Sequence, residues 1–285
     1  MPDEPPGRSQ GEYRSAQHGG RLTRLWSSLT LRWRQARESR ALTRRAIPDE
    51  LWLSTVAQLP FLAQRSAADL TELRRLASLF LDEKEFHGAG GLAVDDAIAV
   101  SIAAQACLPV LRMGLVPYRS FVGIVVHPDE VVAQREWTDE HGIVHQWEEQ
   151  LSGEAMQGGP VMLSWRDVGA AGESAAWAYN VVIHEFAHVL DMADGVANGL
   201  PPLPPGMDRE EWVRVIDDEY AHFRTAVGMG RPTLLDPYGA SGIDEFFAVA
   251  SEAFFVTADE MRRQHPELYA MLARYYGQDS AGDAG

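Results

Sequence analysis

The segment Val181-Val182-Ile183-His184-Glu185-Phe186-Ala187-His188-Val189-Leu190-Asp191 sets two histidines four residues apart, with a glutamate directly after the first. In a helix, positions four apart lie on one face, so both imidazoles can present a nitrogen to one tetrahedral cation, at about 2.0–2.1 Å for zinc. Glu185 then falls beside the cation rather than on it. From there its carboxylate can take a proton from a water that the metal acidifies, and later hand it to the leaving amine of a cleaved peptide bond. An HExxH pattern also arises by chance in ordinary helices, so its neighbours are weighed with it. Asp191, three residues after His188, shares the same stripe. It can accept a hydrogen bond from a ligand imidazole, although a surface acid at a helix end has the same spacing.

A catalytic zinc site takes a third protein ligand and leaves one position for water. The run from Asp244 to Phe255 is strongly apolar yet carries Asp244, Glu245 and Glu252. Charges in such a helix need a partner, and a metal is one. Glu245 and Glu252 share a helical face, and spacing alone does not choose which one ligates and which supports a ligand. Just upstream, Leu235-Asp236-Pro237-Tyr238-Gly239-Ala240 reads as a tight, exposed turn. Tyr238 there is either a packing residue or a donor to the oxyanion of a tetrahedral intermediate. His87, His127, His141, His145 and His222 stand in no ligand spacing and are read as bystanders.

The elements that must hold these residues are legible in outline. Leu70, Leu73, Leu76, Leu79 and Phe80 fall at helical spacings, with Ser66 or Asp69 as cap, and Asp95 to Leu111 forms a second apolar helix beyond the Gly88–Gly91 break. After Pro117 the runs Phe121–Val126, Val131–Trp137, Ile143–Trp147 and Pro160–Trp165 are rich in strand formers and predict a small twisted sheet. Helices follow from about Ser174 to Met192 and from about Asp244 to Phe255, separated by a Pro-rich, acidic insertion. Residues 1–45 are expected to be a disordered, basic extension, 46–277 a single peptidase body (46–115 a helical annex, 116–277 the zinc catalytic part), and 278–285 a disordered tail.

With 285 residues, 46% hydrophobic and 23% charged, the chain is long and apolar enough for a full core. Its formal net charge of −16 argues against a nucleic-acid partner, since such binding depends on cations that neutralise phosphates. The arginine-rich stretch from Arg21 to Arg45 runs against that average and is either a basic amphipathic arm or a solvated helical extension. Cys107 excludes an internal disulfide and reads as a small buried hydrophobe. No apolar run reaches bilayer length and the first residues lack a secretory pattern, which makes the cytoplasm the expected location.

These residues together resemble the Mlc titration factor A family, also called the DgsA anti-repressor family, of gluzincin-type zinc peptidases. The resemblance runs from about Ala46 to Tyr275 and is most specific in Val182–His188 with Leu190-Asp191-Met192, in Asp236–Ala240, and in Glu245–Val249 with Ser251-Glu252. It implies an α+β fold with a gluzincin-like core, in which a small mixed sheet, the HExxH helix and a Glu-bearing helix follow an N-terminal helical annex. It also implies one zinc ion per chain, held by His184, His188 and Glu245, with Glu185 as base and Tyr238 assisting the oxyanion; the choice of Glu245 leaves Glu252 to support a ligand, beside Asp191, whose supporting role is read from its spacing. Gly159–Trp165 is implied to be the edge strand along which a peptide substrate aligns. Aminopeptidase-like activity is expected, and so is a second role in which the protein titrates a transcriptional repressor of glucose-transport genes.

Overall fold

The computed structural model describes residues 35–138 and 144–282. The chain divides into two units, Met1–Ala46 and Ile47–Gly285. In the first, residues 35–44 form a helix, α1. Of the arginine-rich stretch Arg21–Arg45, on which the reading of a basic arm rests, the part from Arg21 to Arg34 lies outside the described residues, while Arg37, Arg40 and Arg44 lie in α1.

The second unit mixes helices with two small sheets. It opens with α2 (Asp49–Gln58), α3 (Pro60–Ala63) and α4 (Ala67–Glu83). Ser66, not Asp69, caps α4: its hydroxyl accepts the Asp69 N–H, one of the donors that a helix start leaves over. Leu73, Leu76, Ala77 and Phe80 form the buried stripe of α4, which packs on α5 (Asp96–Cys107), capped by Asp95. Cys107 is buried within α5, as a small hydrophobe would be.

Between these helices lies β1 (Glu85–Gly88), a strand that helical periodicity in this region does not announce. It pairs in parallel with β2 (Gly123–His127), which follows a 3-10 turn at Val116–Ser120. β3 (Val131–Thr138) and β4 (Val144–Leu151) form a separate antiparallel pair, and their connector, 139–143, lies outside the described residues. β5 (Gly153–Ala155) and β6 (Val161–Ser164) complete the main sheet in the order β1-β2-β6-β5. β1, β2 and β6 run parallel, while β5 is antiparallel to β6.

This order corrects one expectation. β6, within the stretch Gly159–Trp165, is flanked on both sides, by β2 and by β5, and so is not an edge strand. The edge is β5, whose three residues are too few to show an alternation that sequence could reveal.

Beyond the sheet come α6 (Trp165–Gly169), α7 (Ala171–Ser174), α8 (Val181–Asp191), α9 (Arg209–Gly228), α10 (Ile243–Val256), α11 (Ala258–Gln264) and α12 (Pro266–Tyr276). The helix expected from Ser174 is interrupted. A 3-10 turn at Ala175–Trp177 ends in Ala178, whose φ of 59° breaks the run, and Asn180 then caps α8 afresh. The insertion before α10 is not all loop, because α9 occupies twenty residues of it.

α8 is apolar on nearly all sides and therefore buried. Phe186, one of the two variable positions of the HExxH motif, sits among Phe80, Tyr118 and Phe121, with its ring centroid 4.9 Å from that of Tyr118. α10 packs along α8, and α5 and β5 also touch it. The C-terminal stretch is anchored rather than loose as far as it is described: Gln278 is buried and its amide donates to Leu108 C=O at 2.9 Å.

Lys84, between α4 and β1, is a buried cation that donates to the carbonyls of Tyr118 and Phe121 and stands 3.8 Å from the Phe121 ring centroid. Burial pushes its ammonium down to about 8. Lys84→Met removes the donor from both carbonyls and is expected to destabilise the fold by about 2–4 kcal/mol. Urea unfolding measures this, and an unchanged midpoint would show that the carbonyls find other donors.

Candidate metal centre and cleft

Three atoms able to ligate a metal, from two helices, converge. The Nε2 atoms of His184 and His188 on α8 are 3.2 Å apart, and Glu245 Oε2 on α10 lies 3.1 Å from the first and 3.3 Å from the second. Donors at about 2.0–2.1 Å from a tetrahedral ion stand roughly 3.3 Å from one another, which is the size of this triangle. Two imidazole nitrogens and a carboxylate oxygen are also a donor set suited to zinc. Among the described residues this is the group of histidines and acids placed to hold a metal ion.

Glu252, seven residues after Glu245, takes the supporting place. Its Oε1 lies 2.7 Å from His184 Nδ1 and its other oxygen accepts the Asn180 N–H. With Nδ1 donating, the Nε2 lone pair of His184 is left for a cation. The support continues inward, because Asn180 accepts the Ile183 N–H that caps α8 and donates from Nδ2 to Gln105 Oε1 on α5 at 2.7 Å. A buried polar chain thus ties the first histidine to the N-terminal helices. Asn180 went unmarked in the sequence, although a cap residue directly before an apolar helix is a signal for it.

Asp191 departs from expectation. It accepts no hydrogen bond from an imidazole; its Oδ2 instead takes the N–H groups of Asn198 and Gly199, both at 2.8 Å, and its Oδ1 is buried without a partner. The chain beyond α8 folds back over the helix end and reaches the carboxylate first. Gly199 adopts φ of +70°, and its carbonyl accepts the Trp212 Nε1–H at 2.9 Å. Asp191 therefore anchors this return loop to the helix that bears the histidines.

Glu185 is buried, 5% exposed, and is not one of the three converging ligands. It lies against β5, so close that a Cβ on Gly153 would stand 2.5 Å from its Oε1. Tyr238, in the 3-10 turn Pro237–Ala240, is 48% exposed, with its hydroxyl 3.5 Å from Glu245 Oε1. A cleft of about 380 Å³ opens over these groups, and Tyr179, Met192 and Asp244 line it along with β5.

Among the described residues β5 is the edge of the main sheet, and it borders the cleft. Ser164 N–H donates to Ser152 C=O, and the register pairs Glu154 with Met162. Antiparallel alternation then turns the N–H and C=O of Gly153 and Ala155 away from β6, towards the cleft.

The electrostatics follow from burial beside carboxylates. Burial alone would lower the proton affinity of His184, but hydrogen bonds to Glu245 and Glu252 outweigh it and raise the imidazole well above its ordinary value. For Glu245 burial works upward, and the hydrogen bonds from both histidines overcome it and hold the carboxyl well below the usual range. Burial pushes Glu185 up to about 7 and also raises Glu252.

A cation bound here would displace a proton from His184, so metal affinity is expected to fall as pH drops towards and below neutrality. Glu252→Gln should in addition weaken metal binding about tenfold, the usual scale for losing a group that orients a ligand. Chelator competition across pH checks both. Affinity that ignores pH, or that ignores the substitution, would count against this account of the carboxylates.

Comparison with known proteins agrees with the centre. Residues 32–277 match the family described as glucose-regulated metallo-peptidase M90. An uncharacterized protein of Synechocystis sp. is 34% identical over 247 residues, 86% of this chain and 88% of its own. Proteins named Mlc titration factor A from Salmonella arizonae and Enterobacter sp. are 31% and 32% identical over 234 and 241 residues, 81% of this chain in each case and 92% and 88% of theirs. The resemblance to the Mlc titration factor A family seen in the motifs is borne out along most of the chain.

Proposed function

The chain belongs to the glucose-regulated metallo-peptidase M90 family, and from that premise we propose that it is a zinc-dependent peptidase in which Glu185 is the general base. The observation that carries this reading is the triangle of His184, His188 and Glu245, with edges of 3.1–3.3 Å, beside the buried carboxylate of Glu185. A third ligand on a later helix is the gluzincin arrangement. Zinc held by His184, His188 and Glu245 would supply a Lewis acid able to polarise a water and the scissile carbonyl.

The chain's own residues do the rest. Gly153 and Ala155 pair with the backbone of an extended peptide and bring one of its carbonyls over the histidines. Glu185 accepts a proton from the attacking water as the carbon–oxygen bond forms. It then delivers that proton to the amine nitrogen as the carbon–nitrogen bond breaks, so the base is regenerated. Tyr238 swings its hydroxyl from Glu245 to the oxyanion, where a placed donor is most effective. Glu252 keeps the His184 ring fixed throughout.

Metal analysis combined with a fluorogenic peptide screen, with and without chelator, tests this directly. One equivalent of zinc and chelator-sensitive cleavage are expected. Cleavage that persists in metal-free protein would end the proposal.

A second reading rests on the name Mlc titration factor A carried by relatives: a protein-binding role in which a transcriptional repressor is the partner and the metal mainly shapes a surface. Under it, Glu185→Gln captures the repressor in a pull-down with full affinity and no peptide library is cleaved. Among the described residues no helix is long and apolar enough to cross a membrane.

A further inference from the structure

Beside the cleft lies a second cavity of about 390 Å³. Its walls are the turn after β5, Met156 to Gly158, the start of β2's approach at Phe121, and the C-terminal end of α8 at Val189 and Met192. Met192 lines both cavities, so they are neighbours that share a wall. Phe121 and Val189 are buried and Met156 is exposed, which gives an apolar side with a thioether at the surface, while Ser120 and Gln157 contribute polar groups to the rest of the lining. Asp194 lines it too, with its carboxylate turned to the Val196 N–H.

β5 and the turn after it lead from one cavity to the other, with Ser152 to Ala155 lining the first and Met156 to Gly158 the second. Glu185 stands against Gly153, so the bond to be cut lies opposite that residue. A peptide paired antiparallel to β5, the slightly stronger of the two pairings, places its more N-terminal residues opposite Ala155 and the Met156 turn. At about 3.3 Å per residue, a side chain reaching the second cavity belongs to a residue about two or three positions before the scissile bond.

We propose that this cavity is a side-chain pocket for an apolar residue, of the size of Leu, Met or Phe, on the N-terminal side of the scissile bond of an extended peptide. The proposal rests on the peptidase reading and extends it: a pocket upstream of the bond has use only when chain continues upstream, so the enzyme cleaves within peptides rather than only behind the first residue. The cavity is large enough for such a side chain, since pockets from about 300 Å³ hold small ligands.

The test separates binding from cutting. Zinc-loaded Glu185→Gln protein is titrated with fluorescently labelled peptides in which Leu or Asp scans successive positions, and anisotropy gives the affinities. At one position Leu is expected to bind about ten- to a hundredfold more tightly than Asp. Ser120→Trp, which fills the cavity from an exposed position, should abolish that preference. Met156→Glu, which puts a charge at its mouth, should reduce it and covers the case in which the first variant does not fold. In parallel, mass spectrometry of peptides cut by the unsubstituted protein fixes where the bond lies relative to the preferred Leu.

A Leu preference two or three residues before the cut, lost in either variant, supports the pocket. Cleavage with no such preference, a preference that both variants retain, or one that lies after the cut overturns it and leaves the peptidase reading intact. A Leu preference that the variants abolish, in a protein that cuts no peptide, sustains the pocket and defeats the peptidase reading.

Discussion

Replacing Glu185 by glutamine is expected to lower kcat/KM for peptide hydrolysis by about 10²–10⁴-fold while the metal content stays as it was, the range that a placed proton acceptor contributes. The side chain is not one of the three converging ligands and is buried beside them, so an amide of the same shape fits the same space. It keeps the packing and loses only the capacity to take a proton. The pH profile carries the same signature. Without a cation, burial puts the carboxyl at about 7, and a nearby dication favours the charged form and moves it lower. A base acts when ionised, so activity should fall as pH falls through a value at or below about 7, and this acid limb should be missing from whatever activity Glu185→Gln retains. Metal analysis and steady-state rates on a fluorogenic peptide decide the matter. A metal-replete variant that hydrolyses at the original rate would remove Glu185 from the chemistry.

How far the sequence could show this site depends on the distance over which each constraint acts. His184, Glu185 and His188 are one helical turn, and their geometry follows from the 3.6-residue period alone. Glu245 is 57 residues beyond His188, and nothing local distinguishes it from Glu252. Spacing left both on one face, the family resemblance chose Glu245 as the ligand, and the fold sets Glu245 at the imidazole Nε2 atoms and Glu252 at Nδ1 of His184. Asp191 had the right spacing for an imidazole partner but is claimed by backbone N–H groups of a loop whose return path no periodicity encodes. β5 is a similar case: its three residues carry no pattern, and the resemblance implies an edge at Gly159–Trp165, a stretch whose strand the sheet flanks on both sides. The helices α4 and α5 were legible from their stripes, whereas β1, four residues long between them, was not.

Gly153→Ala is the sharper probe of how the two halves of the site meet. The methyl group it adds would sit 2.5 Å from Oε1, 2.6 Å from Cγ and 2.7 Å from Cδ of Glu185. All three are well inside contact distance, so moving the carboxylate tip alone does not relieve the clash. The backbone of α8 cannot retreat, because Phe186 on the next position is locked among Phe80, Tyr118 and Phe121. Gly153 is not among the glycines with positive φ, so alanine meets no backbone strain there, and the whole effect passes through Glu185. A displacement of about 1 Å in a catalytic group costs on the order of 100-fold in rate. The expected result is therefore a loss of that size in kcat/KM, with zinc content close to that of the unsubstituted protein and stability lowered by about 1–3 kcal/mol, too little to unfold it. Rates, metal analysis and thermal unfolding on one preparation separate this from misfolding. Full activity in a folded Gly153→Ala protein would mean that the base is not pressed against β5, and the strand would then lose its standing as the platform on which a peptide is laid over the metal.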